Sequence, residues 1–336
     1  MLSIVIPVFN EQDNVSKLYE RLVAASPSWD SPFEVILVDD GSTDRTLSLL
    51  RELHKKDSRF KFISFSRNFG HQTAVSAGLR YVSGDVVAVM DADLQDPPEE
   101  LHRFLDKWHE GYQVVYGIRT KRKENIFKRS AYYLFYRLLA WCSSIEIPLD
   151  SGDFCVMDRT IVDCLNSMPE RNRFVRGLRS WIGYRQIGIP YERDKRLAGD
   201  VKYTFRKLLR LALDGIINFS YRPLQLTGTF GLLVCFLSFS GIVFYLVHRV
   251  LNRKIFGLAP QDVPGFTTLI LAILFIGGVQ LFTLGVLGEY LGRIFDEVKQ
   301  RPLYIVKDQE GFEELKGLNN AKISKPMLPG DPPKIY

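Results

Sequence analysis

Cysteine is scarce in this chain. The four cysteines, Cys142, Cys155, Cys164 and Cys235, have no metal-ligand spacing and read as small buried hydrophobes. Two phosphate-binding signatures are also absent. No G-x-G-x-x-G follows the first strand-like segment, and no G-x-x-x-x-G-K-[ST] occurs anywhere in the 336 residues, so the usual dinucleotide and P-loop readings lose their mechanism. There is no internal repeat and no low-complexity segment. Met1-Leu2-Ser3 enters a strand without a basic n-region, so no signal peptide is expected. Charge is missing from two long runs, 224–247 and 265–288.

Each uncharged run is 24 residues long, enough to cross a hydrocarbon core of about 30 Å at about 1.5 Å per residue. Two transmembrane helices are therefore expected within 223–290, joined by a short external loop over 249–264. Arg193, Lys195, Arg196, Lys202, Arg206, Lys207, Arg210 and Arg222 precede the first run, and Arg293, Lys299 and Arg301 follow the second. The loop carries fewer cations: His248, Arg249, Arg253 and Lys254, offset by Asp262. The positive-inside rule then predicts a multi-pass protein of the cell membrane with both termini cytoplasmic. The expected order is a catalytic domain over 1–203, a juxtamembrane amphipathic helix over 204–222, the spans, and a cytoplasmic tail over 291–336.

The net charge of +6 raises nucleic acid as a partner. The basic residues, however, crowd beside the spans and in 119–129 (RTKRKENIFKR), a pattern that fits anionic head groups and phosphate ligands instead. Segments 126–141 and 204–220 mix aromatic or aliphatic stripes with Lys and Arg, as helices lying in the plane of a bilayer surface do. A homo-oligomer is compatible with the sequence but not required by it.

The amino-terminal part alternates strand and helix signals. Residues 2–8, 33–40, 60–65, 86–93 and 113–117 read as strands, with helices between them. That spacing predicts an α/β fold, a Rossmann-like, mostly parallel, doubly wound sheet. The apolar strand VVAVM runs straight into Asp91-Ala-Asp93, at the carboxyl edge where open α/β sheets bind ligands. If the strand continues, Asp91 and Asp93 point the same way, and Gln95 extends the register. Two carboxylates and an amide oxygen suit Mg²⁺ or Mn²⁺ holding a diphosphate. With Glu11, Asp39 and Asp40 on the same edge the pocket is strongly negative. It becomes sensible if a divalent cation neutralises part of it, or if carboxylates accept hydrogen bonds from a base and ribose.

The set Ile6-Pro7-Val8-Phe9-Asn10-Glu11, Val38-Asp39-Asp40-Gly41-Ser42-Thr43-Asp44, Arg67-Asn68-Phe69-Gly70 and Asp91-Ala92-Asp93-Leu94-Gln95-Asp96-Pro97-Pro98-Glu99 resembles family 2 glycosyltransferases of the GT-A fold. Within them the chain is similar to the polyprenyl-phosphate branch of dolichol-phosphate mannose synthases and GtrB-type undecaprenyl-phosphate glucosyltransferases. Similarity to the GtrB type rests on the two spans and on Ser151-Gly152-Asp153-Phe154. The resemblance implies that Pro7, Phe9, Glu11, Asp39 and Asp40 hold the base and ribose. Asp91 supports the nucleotide, and Asp93 and Gln95 ligate the metal. Arg119 and Arg129 grip the acceptor phosphate, while Arg196, Lys202 and Tyr203 belong to a segment closing over the donor diphosphate. Family members often have Ser before that Lys-Tyr; here Asp200-Val201 precede it.

The implied partners are a nucleotide-sugar, with UDP-glucose expected, and a polyprenyl phosphate such as undecaprenyl phosphate. The acceptor phosphate is already anionic near neutral pH, so no strong base is needed and direct attack inverts the anomeric centre. Asp153 can orient the acceptor or a sugar hydroxyl, serve as a weak base, or merely cap a helix. Mannose, aminosugar or arabinose donors of the same branch remain open. A transporter would need more spans, and a processive polysaccharide synthase would carry Q-x-x-R-W, whereas here only Arg179-Ser180-Trp181 occurs. A membrane-anchored sugar-nucleotide-binding protein without catalysis is the remaining different-class alternative.

Overall fold

The structure is a computed structural model and describes residues 1–119, 151–192, 265–312 and part of 224–243. The chain forms two compact units, one of residues 1–140, 145–208 and 300–336, the other of 141–144 and 209–299.

The first unit is built on one eight-stranded sheet. Its strands are β1 (Leu2–Val8), β2 (Phe33–Asp39), β3 (Phe60–Phe65), β4 (Val86–Val89), β5 (Val114–Arg119), β6 (Ser151–Asp158), β7 (Gln186–Tyr191) and β8 (Val306–Glu310), and the helices are α1 (Val15–Ala25), α2 (Thr46–Lys56), α3 (His71–Tyr81), α4 (Leu101–His109), α5 (Arg159–Ser167) and α6 (Val175–Trp181). The spatial order is β7-β5-β6-β4-β1-β2-β3-β8. β1 and β2 are buried at every position, as unbroken apolar strands covered on both faces must be. Ile4, Ile6, Leu18, Leu22, Leu37, Phe62 and Phe154 belong to one core. Truncating a fully buried member such as Leu22 to alanine would cost about 2–5 kcal/mol.

The sheet is mixed, which qualifies the mostly parallel expectation. The pairs β1–β2, β1–β4, β2–β3 and β5–β7 are parallel, whereas β6 runs antiparallel to β4 and β5, and β8 antiparallel to β3. The β6, β7 and β8 strands have no period clear enough to be read from sequence. β8 comes from the segment expected to be a tail, and its addition to the β3 edge is supported by stacking of Tyr304 on Phe65 (4.9 Å between ring centroids).

One close approach positions the site. A Cβ on Gly78 would lie 2.3 Å from Val5 Cγ1, so α3 lies against β1 more closely than any side chain allows, and its first turn is carried to the carboxyl edge of the sheet.

In the second unit, α7 (Gly265–Lys299) is a single 35-residue helix. Its stretch Phe275–Lys299 is long and apolar enough to cross a membrane, and none of the apolar window is buried. Leu281 and Phe282 are about 70% exposed (72% and 68%). The described residues thus contain one helix of membrane-crossing character. Described positions of the run at 224–247 are helical, but much of that run lies outside the described residues, as do the amphipathic segments at 126–141 and 204–220.

Candidate active site

The loops leaving β1 and β2 are stitched together by short polar side chains. Asn10 takes a left-handed backbone (φ 54°), its Oδ1 accepts from Thr43 N (2.9 Å), and its own N–H donates to Ser42 Oγ (2.9 Å). Glu11 N donates to Thr46 Oγ1 (3.0 Å), and Glu11 Oε2 accepts from Asn14 Nδ2 (2.6 Å). Gly41 is obligatory: with φ 71° a Cβ would lie 2.4 Å from the Arg67 carbonyl carbon. Phe9 is left exposed at the rim while Pro7 is buried within β1.

The adjacent aspartates divide their work. Asp39 turns inward, accepting from Ser42 N (3.0 Å) and Ser64 Oγ (2.7 Å). Asp40 accepts from Phe69 N (2.7 Å) and Gly70 N (2.9 Å), fixing the loop that opens α3. Burial pushes the Asp40 pKa above the usual carboxylate value, with the Asp39 charge adding to it, and those two N–H donors only partly oppose the rise.

The Asp91–Asp93 segment is a turn, which corrects the expectation of a continuing strand. β4 ends at Val89. Leu94 adopts φ 58°, and Asp93 Oδ1 accepts from Gln95 N (3.1 Å), an Asx-type turn that competes with the ladder. The two carboxylates are therefore delivered by a loop, not by strand alternation. That loop is held from outside: Tyr191 Oη donates to Asp96 Oδ1 (2.6 Å), Arg21 Nη1 to the Leu94 carbonyl (3.2 Å), and Trp29 Nε1 to the Pro98 carbonyl (3.3 Å).

Asp153 lies on β6, so it is not a helix cap; Asp158 does that work, accepting from Thr160 N (2.9 Å). Arg176 Nη2 lies 3.2 Å from Asp153 Oδ1, and His71 Nε2 (3.3 Å) and Gln72 Nε2 (3.4 Å) face Oδ2. His71 Nε2 is also 3.8 Å from Asp91 Oδ1. Burial alone would lower the His71 pKa, but the bond to Asp153 and the charges of Asp91, Asp153 and Asp40 carry it up to about 9. Asp91 goes the other way from a free carboxylate. Burial, and the charges of Asp96, Asp153 and Asp93, push it up to about 6 against the pull of His71. For Asp153, burial is outweighed by His71 and Arg176, which hold it well below the usual range.

This chemistry fits a divalent ion shared with a ligand. Among the described residues no three His, Cys, Asp or Glu side chains form a metal cluster, so these residues alone offer no complete cage. Asp91, Asp93 and the Gln95 amide would supply a few hard oxygens, and a diphosphate the others, as Mg²⁺ sites commonly require.

The glycosyl transferase family 2 model matches residues 3–165. The chain is 46% identical over 312 residues (93% of this chain, 94% of the relative) to the uncharacterized glycosyltransferase YkcC of Bacillus subtilis. This chain belongs to glycosyl transferase family 2. It is also 39% identical over 307 residues to the bactoprenol glucosyl transferase of Shigella phage SfII, covering 91% of this chain and 97% of that one. Among solved structures, mannosyl-3-phosphoglycerate synthase from Rubrobacter xylanophilus is 20% identical and matches 68% of this chain and 75% of its own with a TM-score of 0.45. The match at residues 3–165 takes in Phe9, Glu11, Asp40, Asp91, Asp93 and Asp153 of this glycosyltransferase.

Not every expected residue can be placed. Arg119 closes β5 opposite Tyr191 of β7, and Arg129, Arg196, Lys202 and Tyr203 lie outside the described residues. The sequence reading missed His71, Gln72, Arg176, Asp96 and Tyr191. His71 and Gln72 directly follow Asn68-Phe69-Gly70, so the signal was present for those two. Arg176 and Tyr191 are brought in only by tertiary structure.

Proposed function

We propose that this glycosyltransferase moves a hexose, glucose from UDP-glucose, to the phosphate of undecaprenyl phosphate at the cytoplasmic face of the cell membrane, with inversion at the anomeric carbon. The observation that carries the reading is the acidic carboxyl edge, where His71 faces both Asp91 and Asp153, in a chain that aligns along nearly its whole length with a bactoprenol glucosyl transferase. The membrane-scale helix α7 supports a lipid acceptor.

In this reading Phe9, Glu11 and Asp40 border the base and ribose, while Asp91, Asp93 and Gln95 face the diphosphate. When bound, Mg²⁺ or Mn²⁺ would supply positive charge to the departing nucleoside diphosphate. Arg196 and Lys202 add charge on the donor side, and Arg119 and Arg129 bind the acceptor phosphate, whose oxygen attacks C1 directly. Charge-assisted contacts of these cations bring two anionic substrates together. Both termini lie in the cytoplasm, and 224–247 forms a second span.

The test uses purified full-length protein, radiolabelled UDP-glucose and undecaprenyl phosphate. Label should pass into the organic phase as an acid-labile lipid phosphosugar. Label entering lipid from GDP-mannose alone would overturn the choice of sugar, and no lipid product from any of a panel of donors would overturn the transfer itself.

A further inference from the structure

Both oxygens of Asp153 are engaged, and one of the engaging residues faces two ways. Gln72 Nε2 points to Asp153 Oδ2 (3.4 Å), while Gln72 Oε1 accepts from Val175 N (2.9 Å), the first residue of α6. The next residue, Arg176, reaches Asp153 Oδ1 (3.2 Å). The start of α3, strand β6 and the start of α6 are thus joined on one carboxylate. The loop just before α3 is fixed in turn by Asp40, through Phe69 N and Gly70 N. Asp153 and Arg176 keep 19% and 26% of their side-chain surface, so water could satisfy both without this network. Three protein donors at a partly open carboxylate therefore serve more than the avoidance of unpaired polar groups.

We propose that Gln72 and Arg176 are positioning residues for Asp153, holding its carboxylate as a fixed charge whose remaining acceptor capacity receives a hydroxyl of the transferred sugar. The inference rests on the sugar-transfer reading of the cleft. A carboxylate offers about four lone-pair positions, and Arg176, His71 and Gln72 use three. What is left accepts one hydrogen bond. An anionic phosphate is disfavoured there by like charge, whereas a neutral polyol matches it. Because misplacement by about 1 Å can cost roughly 100-fold in rate, a bond network that fixes Asp153 from two helices has a kinetic purpose.

The test is a double-mutant cycle on full-length protein with undecaprenyl phosphate and the nucleotide-sugar the wild type uses. Gln72→Met keeps the side-chain length and removes both hydrogen bonds. It should lower kcat by about 10- to 100-fold, with UDP affinity (by calorimetry without lipid) unchanged; a small fall in Tm follows separately from leaving Val175 N unpaired. Asp153→Asn should also lower kcat, and the double variant should be no slower than Asp153→Asn alone, because residues acting through one group are not additive. If Gln72→Met fails to fold, Arg176→Lys carried through the same cycle replaces it, with the same expected pattern. Multiplicative losses, or a fall in UDP affinity that accompanies the fall in kcat, would overturn the positioning role. A wild type inactive with every donor would instead overturn the transfer reading and this inference with it.

Discussion

The two edges of the sheet hold carboxylates that are treated in opposite ways. At the amino edge, Glu34 accepts from Ser3 Oγ (2.6 Å), Ser83 N (2.8 Å), Ser83 Oγ (2.7 Å) and Lys61 Nζ (2.8 Å). Burial would raise its pKa, but these donors outweigh burial and the net shift is downward. At the carboxyl edge, Asp40 and Asp91 are both shifted upward, because burial there is joined by neighbouring carboxylates. One edge has matched its charge from within the chain. Among the described residues, the other gathers Asp40, Asp91 and Asp153 around His71, a cluster of perturbed groups of the kind that marks candidate functional sites.

The largest effect expected from this contrast is on turnover. Asp93→Asn should reduce transfer by at least about two orders of magnitude, and EDTA should abolish it with recovery on adding Mg²⁺ or Mn²⁺. Full activity in chelator would remove the distinction between the edges. Next comes the separation of the two substrates. Arg129→Ala should raise the KM for the lipid phosphate, lowering kcat/KM by about 10- to 150-fold for the loss of a charged contact worth about 1.5–3 kcal/mol, with UDP-sugar affinity unchanged. Asp40→Ala should weaken UDP-sugar binding in a titration without lipid. Weaker nucleotide binding in Arg129→Ala would move the acceptor site elsewhere.

The amino edge answers to stability instead of turnover. Glu34→Gln should lower stability by about 1.5–3 kcal/mol, read as a fall in Tm with little change in kcat. The pH dependence has a definite sign. The folded pKa of Glu34 lies below its ordinary value of 4.5, so its contribution is complete above about 4.5 and is lost as pH falls through the folded pKa. The Tm of Glu34→Gln should therefore converge with that of the wild type in acid; a constant gap down to the folded pKa would refute the assignment. The smallest effect should come from Arg51→Ala, which removes the exposed pair with Asp308 and should shift stability by no more than about 1 kcal/mol.

The sequence made the amino-terminal half of this fold legible because β1, β2, β3 and β4 are apolar runs closed by Pro, Gly and Asp, and the family motifs sit at their ends. It also placed Asp40, Asp91 and Asp93 just past the ends of β2 and β4, at the carboxyl edge, where the structure has them. It did not foretell that Asp91–Asp93 is a turn, because a left-handed leucine at position 94 breaks no sequence rule. Nor could it supply the partners of Asp153. Gln72 and Arg176 are separated from it by 81 and 23 residues, and only the packing of α3 and α6 makes them neighbours. β8 was hidden for a related reason: VKDQE is too polar to announce a strand, and its place is set by the β3 edge it covers.

That last strand has a consequence for how the protein is made. Until residues 306–310 have left the ribosome, β3 presents an open edge, the kind of surface that captures other strands. The helix at 265–299 emerges first, so a chain that stalls or is cut within it leaves the sheet unfinished. Completion of the sheet thereby requires chain that follows the apolar helix, including Ile305, whose carbonyl accepts from Ser66 N (2.9 Å) four residues before Gly70. A truncated product should be recognisable to proteases by that edge alone.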